Sequence, residues 1–135
     1  MTAGGRSDER SADGRRRLRH WIVGALVLAS TGALANAFMI DLCDLVYDCG
    51  CRSLWDGAAE DCNIHDATTH DCPWCTTGRL GVVLPPALVL ATQGLIAFWP
   101  GRLAWWKRLL LALLAFPAVG GAVGLGFGLA TGYWS

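Results

Sequence analysis

Residues 21–40, 80–99 and 109–133 contain no Asp, Glu, Lys or Arg. Each run reaches the roughly 20 residues that an α-helix needs to cross about 30 Å of hydrocarbon. In lipid the backbone amides must be satisfied within the segment itself, and a helix does this. Apolar residues make up 53% of the 135-residue chain and charged residues only 16%. They also fall in blocks, whereas a soluble core spreads them at helix or strand period. The expected fold class is an all-α membrane protein: three transmembrane helices with an irregular Cys/His-rich extracytoplasmic loop.

The remaining segments follow from that frame. Residues 1–20 are rich in Gly, Ser, Asp and Arg and read as a disordered basic cytoplasmic tail. Residues 41–79 form the Cys/His loop, and residues 100–108 a short cytoplasmic turn carrying Arg102, Lys107 and Arg108. The loop holds only Arg52 and Arg79 among eight acids: Asp41, Asp44, Asp48, Asp56, Glu60, Asp61, Asp66 and Asp71. Basic residues mark the cytoplasmic side, so the loop is expected outside and the tail and turn inside. Trp21, Trp99, Trp105, Trp106, Tyr133 and Trp134 fall at the expected interfaces. Ten arginines to one lysine, with abundant Ala and Gly, suggest a GC-rich bacterial genome and an inner-membrane location. A cleaved signal peptide competes for the first run, because Ala33-Leu34-Ala35 resembles a processing site. The apolar run continues to Ile40, which favours an uncleaved helix.

Two stripes of small residues suggest how the helices pack. Ala25, Ala29, Ala33 and Ala37 recur on the first span, and Gly120, Gly124, Gly128 and Gly132 on the third. Small faces let helices approach closely, within the chain, across a homo-oligomer or in a larger membrane complex. Gln93 is the strongly polar side chain of the second span and is expected to face another helix. Pro85-Pro86 is expected to kink that span or to mark its regular start. The expected partners are the lipid bilayer and other membrane helices, with no nucleic acid.

All six cysteines lie in the loop, in the order Cys43-x5-Cys49-x-Cys51-x10-Cys62-x2-His65-x4-His70-x-Cys72-x2-Cys75. Cys62-x2-His65 and Cys72-Pro73-Trp74-Cys75 form two chelating pairs, which together supply a tetrahedral Cys3His set suited to Zn²⁺. Cys62, His65, Cys72 and Cys75 are therefore the expected metal ligands. Cys49, Cys51 and His70 are the reserve set, and the sulfur-rich composition also suits copper. A closed four-ligand site fits a structural or metal-handling role better than hydrolysis.

The same cysteines allow two other readings. Cys72-Pro-Trp-Cys75 has the form of a redox CxxC, so a membrane thiol–disulfide oxidoreductase could pass electrons onward to a second cysteine pair and a quinone. On that reading a helix N-terminus near Cys75 favours its thiolate, and mutating Cys75 alone traps mixed disulfides. Alternatively, three disulfides staple a loop too small to hold its own core, in an accessory subunit of a membrane complex. Six cysteines permit fifteen pairings, so connectivity is not legible. Thr76 follows Cys75 where haem attachment requires His, and no P-loop, GxSxG or HExxH pattern occurs.

Overall fold

A computed structural model of the chain describes residues 4–58, 60, 62–65, 71–101 and 103–135. The elements in order are α1 (Gly4–Ala37), α2 (Met39–Tyr47), a 3₁₀ turn (Asn63–His65), α3 (Pro73–Thr76), α4 (Arg79–Ala97) and α5 (Trp105–Thr131). No strand occurs among the described residues. Three stretches are long and apolar enough to cross a membrane: Ala12–Ala37, Arg79–Ala97 and Trp105–Thr131. The protein is thus all-helical and multi-pass, with the cysteine loop between its first two spans.

α1 begins well before the apolar run, inside the segment whose sequence reads as a tail. Arginine is a good helix former, and Asp13 pairs with Arg17 one turn on, at 3.2 Å. Such an exposed pair contributes only about 0.3–0.5 kcal/mol. The helical path breaks at Phe38, and α2 continues as a separate helix over the end of the bundle. Pro85 and Pro86 lie inside α4 rather than at its start.

The helices meet along rows of small residues. On α4 the buried positions are Gly81, Pro85, Val89, Gln93 and Ala97, every fourth residue. On α5 Ala112, Gly120, Gly124 and Gly128 lie on the inner face. α4 and α5 share the most extensive contact, and α1 packs against both. Large residues such as Leu26, Leu95, Leu114 and Leu129 point outward, as a lipid solvent allows.

Gln93 is fully buried at the meeting point of the three spans. Its Nε2 donates to the Ala112 carbonyl at 3.1 Å and to that of Thr31 at 3.4 Å. An interhelical bond of this kind contributes about 0.6–2 kcal/mol in a membrane.

The two stripes have separate surroundings. The glycine stripe receives the cysteine end of the molecule: Gly120 abuts Leu42, Gly124 abuts Val46 and Trp74, and Gly128 abuts Trp134. Ala25, Ala29 and Ala33 face outward, and α1 packs instead through Gly24, Val27, Thr31, Gly32 and Ala35.

At the opposite, basic end, Arg108 is 5% exposed. Its guanidinium donates to the Ala97 carbonyl at 3.2 Å and to the Gly101 carbonyl at 2.9 Å, and lies 3.2 Å from His20 Nδ1. It thereby holds the end of α4 to the start of α5.

Candidate metal centre

The loop folds into a cap whose parts are placed by ordinary helix chemistry. α2 is amphipathic: Leu42, Cys43 and Tyr47 are buried, while Asp44 and Leu45 lie toward the outside. Asp48 ends the helix in the left-handed conformation, at φ 51°. The Asp44 carboxylate then accepts the Gly50 N–H at 2.8 Å. Gly50 has φ 74°, a conformation that a residue without Cβ adopts freely. The resulting turn carries both Cys49 and Cys51 into the interior.

Asn63 ties the cap together. Its N–H donates to the Cys49 carbonyl at 2.8 Å. Its Oδ1 accepts the Cys72 N–H at 2.9 Å, and its Nδ2 donates to the Tyr133 hydroxyl at 3.1 Å. Cys72 stands at the N-cap of α3, with Pro73 at the first helical position, where a missing N–H costs nothing. The Cys75 N–H returns to the Cys72 carbonyl at 3.0 Å, so the two sulfurs of the CxxC share one side of the turn.

The cap is seated on the bundle by aromatic residues. The Tyr47 hydroxyl donates to the Gly124 carbonyl at 2.6 Å, and the Tyr133 hydroxyl donates to the Tyr47 carbonyl at 2.8 Å. Trp74 and Tyr133 meet the Tyr47 ring edge-on, and Trp134 stacks on it.

Within this frame all six cysteines are free thiols, and five are buried. Cys43 Sγ lies 3.3 Å from Cys72 Sγ and 3.7 Å from Cys49 Sγ. Cys62 Sγ lies 3.7 Å from Cys75 Sγ. Among the described residues two groups could hold a metal ion: Cys43, Cys49 and Cys72, and Cys49, Cys51 and Cys62, each with its sulfurs within 4.8 Å of one another. Thiolates around a tetrahedral Zn²⁺ at 2.3 Å stand about 3.8 Å apart, so these spacings suit metal coordination.

The thiols are chemically unequal. Neighbouring Cys43 and Cys72 stabilise the Cys75 thiolate and lower its pKa to about 4, against the effect of burial. Cys72 is also lowered, chiefly by Cys43 and Cys49. Cys43 is pushed up by its thiol neighbours Cys49, Cys72 and Cys75, and Cys51 mainly by burial. The activation of Cys75 thus comes from adjacent sulfur, since α3 has only four residues and its dipole is small.

Of the residues singled out in the sequence, Cys62, Cys72, Cys75, Cys49 and Cys51 are all in this cluster. His65 ends the 3₁₀ turn as an exposed side chain and belongs to neither three-sulfur group. His70 lies outside the described residues. Cys43, absent from the expected ligand set, sits at the centre. Its signal was the apolar pattern Met39, Leu42, Cys43, Val46 and Tyr47, one face of a helix that is obscured by Asp41, Asp44 and Asp48.

Beside the cluster is an apolar cavity of about 250 Å³, lined in part by Met39, Ile40, Cys43, Cys75, Val82 and Pro86. Comparison with protein-family models, curated proteins and solved structures finds no match to this chain.

Proposed function

We propose that this chain is a small multi-pass membrane protein that binds a soft transition metal, zinc or copper, in its thiol cap, in a structural or metal-handling role. The observation that carries this reading is the convergence of six thiols, five of them buried, from both ends of the loop into one cluster, with Cys43 3.3 and 3.7 Å from Cys72 and Cys49 and Cys62 3.7 Å from Cys75. Sulfur-only donor sets favour Zn²⁺ and Cu(I) over harder ions. An ion held by four thiolates would keep no open coordination position of the kind that hydrolytic zinc sites have. The geometry favours the cysteines over a Cys3His set, because Cys43 is at the centre and His65 is exposed.

On this reading the protein lies in a bacterial inner membrane, with the basic end inside and the cap outside, following the distribution of Lys and Arg. The test is elemental analysis of detergent-purified protein, paired with a thiol count under denaturing, non-reducing conditions. Bound metal with recoverable free thiols is the expected result. Absence of metal together with absence of free thiols would sink the reading and leave a disulfide-stapled cap.

One observation favours thiol–disulfide exchange as a second reading. Cys75 is the half-buried member of the cluster, has a lowered pKa and borders the apolar cavity, whereas Cys72 is fully buried. Cys75 then attacks, in line with the reactive thiolate expected there, and Cys72 resolves, so the trapping variant moves from Cys75 to Cys72. Cys72→Ala is the variant expected to trap mixed disulfides with a partner. A cap that forms no adducts under oxidising conditions would dismiss this reading.

A further inference from the structure

We infer that the cap is a binuclear centre, in which two divalent ions share the thiolates of Cys49 and Cys75. Cys43 and Cys72 complete one tetrahedron, and Cys51 and Cys62 complete the other. The inference rests on the metal-binding reading above and adds the number of ions and the way they are linked.

The argument begins from counting corners. A tetrahedral ion takes four thiolates. One ion would leave two of the six thiols without a metal, and two independent ions would require eight. Six thiolates fill two tetrahedra when two corners are held in common, which places the tetrahedra edge to edge.

The geometry identifies the shared corners. Cys49 belongs to both three-sulfur groups, Cys43/Cys49/Cys72 and Cys49/Cys51/Cys62. Each group lacks one ligand, and Cys75 is the thiol left over. Its sulfur lies outside both groups, 3.7 Å from that of Cys62 in the second, and its N–H donates to the carbonyl of Cys72 in the first at 3.0 Å. Cys75 therefore stands beside both groups, where its sulfur would draw in to the open corner of each as metal enters. An ion in the first group alone would leave Cys51 and Cys62 beside Cys49 as a ready second nest.

Loading is a simple acid–base exchange. Each sulfur that is still protonated gives its proton to water as it bonds to metal, and no electron moves. Six thiolates and two divalent ions carry a net charge of two minus. Sharing two thiolates lowers the charge that a buried centre has to bear relative to two separate four-thiolate sites.

The experiment uses the full chain in detergent, reduced and loaded without oxygen with Zn²⁺ or with an NMR-active cadmium isotope. The expected result is saturation at two ions per chain and two cadmium resonances that split one another through shared sulfur. Co²⁺ provides a second readout: the paramagnetic signal rises with the first equivalent and falls as the second couples to it. Cys49→Ser and Cys75→Ser should each weaken the mutual splitting, and the double variant should abolish it. If either variant fails to fold, the splitting in the unmodified chain still decides. Saturation at one ion with two thiols open to alkylation would overturn the binuclear centre and leave the metal-binding reading intact. Two resonances without mutual splitting would also overturn it. Failure to bind any of the three ions would overturn both.

Discussion

At the basic end of the bundle one buried cation finds its partners in the backbone. At the cysteine end, six thiols have chiefly one another. Arg108 donates to two carbonyls that the end of α4 and the following turn leave free. That arrangement satisfies both terminal nitrogens of the guanidinium within the chain, while its Nε is buried without a partner. A thiol is a weak donor and a weak acceptor, so a cluster of thiols gains little from its own contacts. On the metal-binding proposal the cluster is stabilised by deprotonation onto metal, and on the thiol-exchange reading by oxidation. The contrast teaches that buried polarity can either close a structure or reserve a place within it.

The largest effect that would sharpen this contrast is metal removal. Structural zinc sites contribute about 10–16 kcal/mol in small peptides, so a chelator should unfold the cap selectively. Hydrogen exchange across residues 49–75 should accelerate by orders of magnitude while α4 and α5 keep their protection. Uniform protection across both regions would break the contrast.

Next is Arg108→Leu, which orphans the Ala97 and Gly101 carbonyls. We expect a loss of about 2–3 kcal/mol, read as a lower unfolding midpoint in detergent, with metal content unchanged. Arg108→Lys should recover only part of that loss, because a single ammonium does not reproduce the guanidinium fork.

Glycine substitutions on α5 grade the seat of the cap. A Cβ at Gly120 collides with Leu42, whereas one at Gly124 meets Val46 at 3.1 Å and one at Gly126 meets nothing within 4 Å. Gly120→Ala should cost about 1–3 kcal/mol and weaken metal retention. Gly124→Ala should cost less, and Gly126→Ala should be neutral or slightly stabilising. An equal effect at all three positions, measured by chelator competition, would remove α2 from its seat in this account.

The smallest effect is on the pH dependence of binding. Cys43 and Cys51 have raised pKa values and must lose protons when metal enters, whereas Cys72 and Cys75 are lowered. Apparent metal affinity should therefore fall as the solution is made more acidic. Cys43→Ala should flatten that slope more than Cys75→Ala does.

The spans were legible in the sequence because lipid imposes a simple rule: an uncharged run of sufficient length. Gln93 was legible for the same reason, as one polar side chain that must avoid lipid. The cap was only partly legible. Spacing singled out the Cys72–Cys75 pair, but Cys43 becomes central only because α2 turns over the bundle at Phe38, which the continuous apolar run conceals. The two small-residue stripes looked complementary, yet the glycine stripe is filled by α2, Trp74 and Trp134. Arg108 read as a mark of orientation in a solvated turn. Its burial depends on where two helix ends meet, and that is a tertiary fact.

Tyr133 and Trp134 follow α5, and both pack on Tyr47 at the foot of the cap. During synthesis α2 and α3 emerge from the ribosome well before these two aromatics do. The cap's seat is therefore unfinished until the third span has crossed the membrane. A chain stalled after its second span lacks that seat, so metal capture, if the cap binds metal as proposed, would wait for the third span.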